Sequence, residues 1–144
     1  MDEKLIAQLR FLKKYLDMIK KISAYRLEEY LADDMVKAAA ERYLQLSIET
    51  CINIGSRIIS IEQFNKDIPL PETYSDVFEI LYSIGIIDEN FSKNLKKMAK
   101  FRNKLVHMYW ELEDELVYDI IKNNISDIER FMKITSDYIK NTEQ

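Results

Sequence analysis

Apolar residues recur at helical spacing along most of the chain. They begin as Leu5, Leu9, Leu12, Leu16 and Ile19, in steps of four and three, the seam of a helix that lies lengthwise on other helices. This predicts a first helix from Asp2 to about Ser23. Ser23 offers an N-cap for a short helix around Tyr25–Leu31, and Asp33 or Asp34 caps the next. That third helix is long and central, with Val36, Ala40, Tyr43, Leu44, Ile48, Cys51, Ile52, Ile58 and Ile59 in phase as far as about Gln63. Residues 65–71 combine Asn, Asp and two prolines and read as the one long loop. Thr73 and Asp76 have the spacing of a capping box for a helix through Val77, Leu81 and Tyr82, which Gly85 ends. Asp88 caps a helix with Phe91, Leu95, Met98, Phe101 and Leu105 on one stripe, continuing to His107 or Tyr109. Acidic residues 111–115 suit the first turn of a last helix that keeps its period through Val117, Ile121, Ile125, Ile128, Met132 and Tyr138.

The pattern predicts an all-α bundle of five to six helices in one domain, residues 1–144. Composition narrows the choice in the same direction. With 47% hydrophobic and 32% charged residues the chain is too apolar to be disordered and too charged to span a membrane. Two Gly and two Pro in 144 residues leave too little turn chemistry for a many-stranded β fold. A single Cys and a single His supply neither a typical zinc site nor an internal disulfide, so no metal and no cofactor are expected. The start Met1-Asp2-Glu3-Lys4 lacks the basic opening and apolar run of a signal peptide, and a cytoplasmic location is expected. The net charge of −4 argues weakly against bulk electrostatic binding of nucleic acid, but does not exclude a local basic face.

His107 is the one side chain of a type that titrates near neutrality, so proton transfer at neutral pH would run through it. A lone His near a helix end also serves as a cap or a packing residue. On an ideal helix Asn103 lies about 40° from His107, while Arg102 and Tyr109, seven apart, come within about 20° of each other. Two polar pairs then occupy adjacent ridges. Asn103 would orient the imidazole, Arg102 would offer a permanently charged fork to phosphate oxygens, and Tyr109 would add a hydroxyl. Lys93, Lys96, Lys97, Lys100 and Lys104 interleave this cluster, either as a basic stripe leading phosphates toward His107 or as a solvated helix face. On the central helix Gln45, Glu49 and Asn53 form a polar row that either faces solvent or lines a cleft, whereas an ordinary salt bridge accounts for Glu41.

The string from Met98 to Trp110, with Arg102, Asn103, His107 and Tyr109, resembles the signature of the HEPN superfamily and, more narrowly, of HepT-like toxins. Their mark is an Arg, usually followed by Asn, a His five residues after the Arg and a Tyr two after the His. Glu41-Arg42, Gln45, Glu49 and Ile52 also match the group's pattern on the central helix, so the resemblance spans most of the chain. It implies a HEPN-like antiparallel bundle forming a homodimer in which the Arg/His motifs of both chains meet at a cleft. The implied activity is that of a metal-independent endoribonuclease toxin. The implied partner is a small nucleotidyltransferase antitoxin, which uses ATP to adenylylate the motif tyrosine, here Tyr109.

Under that reading Arg102, Asn103 and His107 form the catalytic set, and Lys97, Lys100 and Lys104 bind the RNA substrate. One His per chain performs one proton step, so a dimer supplies both base and acid. Two other readings use the same residues. One is a non-catalytic module that binds a nucleotide or the nucleotidyltransferase itself. The other is a structural bundle in which Arg102 and His107 belong to a buried hydrogen-bond network.

Overall fold

The computed structural model describes residues 2–142 and, of Tyr109, the backbone. Seven α-helices run in the order α1 (Glu3–Ser23), α2 (Leu27–Leu31), α3 (Asp34–Glu62), α4 (Tyr74–Ser83), α5 (Glu89–His107), α6 (Asp114–Asn123) and α7 (Ile125–Thr142). A 3-10 turn, Tyr109–Glu111, joins α5 to α6, and no strand occurs among the described residues. The fold is all-α, with one helix more than the upper expectation.

The starts of the helices follow from short side chains that accept the orphan N–H groups of the first turn. Asp2 accepts from Leu5 N, Asp33 from Met35 N and Val36 N, and Asp88 from Phe91 N. Thr73 and Asp76 form the reciprocal box, Asp76 N donating to Thr73 Oγ1 at 3.1 Å and Thr73 N to Asp76 Oδ2 at 3.0 Å. Gly85, at φ +82°, supplies the left-handed residue that turns the chain from α4 toward α5.

Two expected boundaries differ. Ser23 does not open α2: its hydroxyl donates to Lys20 O, closing α1, and α2 begins after Arg26. The last helix is two, because the chain breaks at Asn124 (φ −110°, ψ −1°). Asn124 N–H closes α6 on Ile120 O, and Asn124 O accepts from Asp127 N at the start of α7. The apolar period runs through this break in phase, and neither Gly nor Pro marks it. Tertiary packing explains the bend, since α6 lies against α1, α2 and α3 while α7 lies against α1, α3 and α5.

Long α3 occupies the centre, contacting every other helix. It runs antiparallel to α1, with Arg57 of its far end bound to Asp2 at 2.7 Å and Tyr43 of its near half against Tyr15. Helices α4 and α5 form an antiparallel hairpin, joined where Ser92 Oγ donates to Phe78 O and closed at the far end by Tyr74 against Arg102. Leu12, Ile19, Leu44, Ile48, Ile54, Ile58, Phe78, Phe91 and Phe131 are fully buried in one cluster, each contributing about 1.5–3 kcal/mol of hydrophobic free energy. Among the described residues no helix is long and apolar enough to cross a membrane.

The α3–α4 approach depends on Gly55, where an added Cβ would lie 2.5 Å from Val77 Cγ1 and 3.1 Å from Leu81 Cδ1. Val77 is buried and stiff at χ1, so it cannot move aside cheaply. Gly55→Ala should therefore destabilise the fold by about 1–3 kcal/mol, despite the better helix propensity of Ala. Urea unfolding measures this, and an unchanged or higher midpoint would show that α4 can shift without loss.

Candidate functional site

On α5 the residues Phe91, Leu95, Met98 and Leu105 are buried, and Arg102 stands on the same face, four residues after Met98 and three before Leu105. A guanidinium in that position must find a counter-charge. It meets Glu49 of α3, whose Oε1 accepts from Arg102 Nη2 at 2.8 Å and from Nε at 3.0 Å, and from Gln45 Nε2 at 3.1 Å. Arg102 Nη1 donates to Asn103 Oδ1 at 3.3 Å. The guanidinium carbon sits 5.0 Å above the ring of Tyr74, the first residue of α4. Among the described residues these contacts engage three of the five guanidinium N–H groups and leave two. The Arg102 side chain is only 15% exposed.

The polar row of α3 borders a cleft, with Asn53 also exposed to solvent. Gln45 and Glu49 join the Arg102 network, and Asn53 lines a cleft of about 230 Å3 with Glu49, Ile52, Tyr74 and Arg102. The salt bridge expected for Glu41 is absent among the described residues. Lys37 pairs with Asp34 and Asp114 instead, while burial, with Asp114 nearby, raises the Glu41 carboxyl above its ordinary pKa. Arg42, one step round the helix, is exposed.

His107 is the last residue of α5 and is exposed. About 140° of helix phase separates it from Arg102, so the two leave α5 on different sides. Asn103 lies between them in phase, but its carbonyl oxygen is bound to Arg102 and it makes no hydrogen bond to His107. The helical register expected for Tyr109 over Arg102 does not hold: Met108 leaves helical geometry (φ −133°, ψ 36°), and Tyr109 opens the 3-10 turn. The side chain of Tyr109, the expected modification site, lies outside the described residues.

Of the five lysines, Lys93 is paired with Glu89 and Lys96 with Glu79. Lys97, Lys100 and Lys104 are exposed and form no ion pair among the described residues, and Lys100, Lys104 and His107 follow one ridge at steps of four and three. Beyond it Met108 and Trp110 are 38% and 68% exposed. No group of three His, Cys, Asp or Glu that could hold a metal ion occurs among the described residues. Sequence reasoning left two members of the site unassigned. Glu49 was visible as a carboxylate amid apolar neighbours, but its partner on α5 was not. Tyr74 gave no signal beyond starting a helix.

The profile of the family described as Ribonuclease HepT-like matches residues 12–134. The chain belongs to the HepT-like family. It is similar to the mRNA nuclease HepT of Shewanella oneidensis, with 27% identity over 138 residues covering 93% of this chain and 97% of that one. The tRNA nuclease HepT of Aphanizomenon flos-aquae is 25% identical over 140 residues, 95% and 90% of the two chains. Among solved structures, the tri-AMPylated Shewanella oneidensis HEPN toxin in complex with MNT antitoxin superposes with a TM-score of 0.85 at 26% identity, covering 95% and 99%. In this HepT-like chain, Arg102 and His107 of the motif occupy the last turns of α5, with the Arg inward and the His outward.

If the half-buried pair holds Arg102 in place, Glu49→Ala and Arg102→Ala should not be additive. A double-mutant cycle in urea unfolding should give a coupling of about 1–2 kcal/mol. Additivity within about 0.3 kcal/mol would mean that the two groups are independently solvated.

Proposed function

We propose that this HepT-like protein is a metal-independent endoribonuclease toxin that acts as a homodimer and is silenced by a nucleotidyltransferase antitoxin. The observation that carries this reading is the placement of Arg102, locked against Glu49 with two N–H groups uncommitted among the described residues, on the same helix end as exposed His107. Family membership and the nuclease names of its relatives support it.

Cleavage of RNA by its own 2′-hydroxyl needs a base, a charge acceptor and an acid. In the proposed dimer one His107 takes the 2′-O–H proton as the oxygen attacks phosphorus. The P–O5′ bond then breaks, and the partner chain's imidazolium gives its proton to the departing O5′. The product carries a 2′,3′-cyclic phosphate. Arg102 turns its free N–H groups to the equatorial oxygens as charge builds on them, and Asn103, tethered to Arg102, steadies that fork. Lys97, Lys100 and Lys104 draw the phosphate backbone along α5, where each neutralised phosphate releases counterions. Exposed Met108 and Trp110 beside the motif provide apolar surface for a symmetric contact. The similar toxin from Shewanella is tri-AMPylated and bound to an MNT antitoxin. Transfer of AMP to Tyr109 by a partner using ATP would put bulk and negative charge beside the phosphate path and close it.

His107→Ala should lower RNA cleavage by at least about 100-fold and Arg102→Ala by a similar factor, both with helical content and dimer intact. Tyr109→Phe should still cleave, but should gain no AMP mass when incubated with ATP and the nucleotidyltransferase. Assays in excess EDTA, with the RNA ends identified and the mass followed by light scattering, decide the matter. Cleavage by His107→Ala at the parent rate, loss of activity in EDTA, or a monomer at every concentration would each overturn a part of the proposal.

A further inference from the structure

The cleft beside Arg102 contains more than a phosphate site requires. Its floor is buried Ile52, one wall is Tyr74, and at its rim the exposed Asn53 side chain makes no hydrogen bond among the described residues. Tyr74 is 44% exposed even though Arg102 lies over its ring. Its position does not drift, because the Thr73–Asp76 box and a further bond from Glu72 N to Asp76 Oδ2 fix the first turn of α4. A half-open aromatic ring with a guanidinium carbon 5.0 Å above it forms the kind of platform on which bases of single-stranded RNA lie. A carboxamide at the edge of such a platform carries a donor and an acceptor side by side, the pairing that an adenine edge accepts best.

We propose that the cleft between α3, α4 and α5 is a nucleobase subsite, in which Tyr74 and Arg102 stack the base and Asn53 reads its edge. The nucleotide whose phosphate meets the free N–H groups of Arg102 is then chosen by its base before any bond is cut. The ion pair with Glu49 holds the guanidinium through Nε and Nη2, and the contact with the face of the Tyr74 ring takes up no N–H hydrogen bond of its own among the described residues. This inference rests on the ribonuclease reading above, but its test does not require cleavage.

The probes are the four nucleoside 3′-monophosphates and inorganic phosphate, titrated by NMR against the intact protein. The parent should rank the four nucleotides, adenosine first. Tyr74→Ala should weaken nucleotide binding about tenfold, the scale of one lost base stack, and should leave phosphate binding nearly unchanged. Tyr74→Phe should restore it, which separates the ring from the hydroxyl and from any defect in folding. Asn53→Ala should flatten the ranking with a smaller change in mean affinity. Equal loss of phosphate and nucleotide in Tyr74→Ala would make Tyr74 a support for Arg102 alone and overturn the subsite, as would a ranking that Asn53→Ala leaves intact. Ranked binding by a parent that cuts no RNA would retain the subsite and reject the nuclease; RNA cleavage with unranked binding would do the reverse.

Discussion

A carboxylate half-buried between the helices of a bundle needs a counter-charge, and the arrangement of the site follows from how that need is met. Glu49 lies on α3, the helix that every other helix touches, and one of its oxygens accepts three N–H groups from Arg102 and Gln45. The buried stripe Phe91, Leu95, Met98 and Leu105 settles the rotation of α5 and carries Arg102 on its inward face, where it reaches Glu49. Lys100, Lys104 and His107 must then point outward. Ion pairs of this depth are often replaceable by packed hydrophobic residues at little cost in stability. What the pair contributes is the orientation of a guanidinium that would otherwise sweep a wide volume.

The same rotation separates the two groups of the motif. An inward Arg and an outward His on one helix cannot both face one phosphate as closely as residues on adjacent ridges would. Arg102 is built into the bundle, and His107 is displayed at its surface, at the point where α5 ends and the chain tightens into a 3-10 turn. A second copy that brings its own α5 end to this surface would supply the second imidazole and narrow the gap.

Around that centre the molecule is built from local rules. The caps at Asp2, Asp33, Thr73 and Asp88 act within three residues of themselves, so they were readable from the chain alone, and so was the loop with two prolines. The break at Asn124 was not. Its residues carry a helical period as regular as their neighbours', and only the separate contacts of α6 and α7 divide them. Tyr109 failed for the complementary reason: a helical wheel extends any helix indefinitely, while α5 stops at His107. The salt bridge assigned to Glu41 went instead to Lys37, which reaches Asp114 on α6, seventy-seven residues away in the chain.

The sequence by itself determined the all-α class, the helix starts at Asp2, Asp33, Thr73 and Asp88 and the identity of the motif, because periodicity, capping and motif spacing are properties of neighbours in the chain. It also placed Gln45, Glu49 and Asn53 on one row without saying what the row faced. Only the tertiary structure decided that Glu49 meets Arg102, that Tyr74 stacks on the guanidinium and that Asn53 borders the same cleft. Those contacts join residues of three helices, and their partners are selected by helix rotation and crossing. No spacing within a single helix encodes either, since both are set by how the buried side chains of several helices interlock at once.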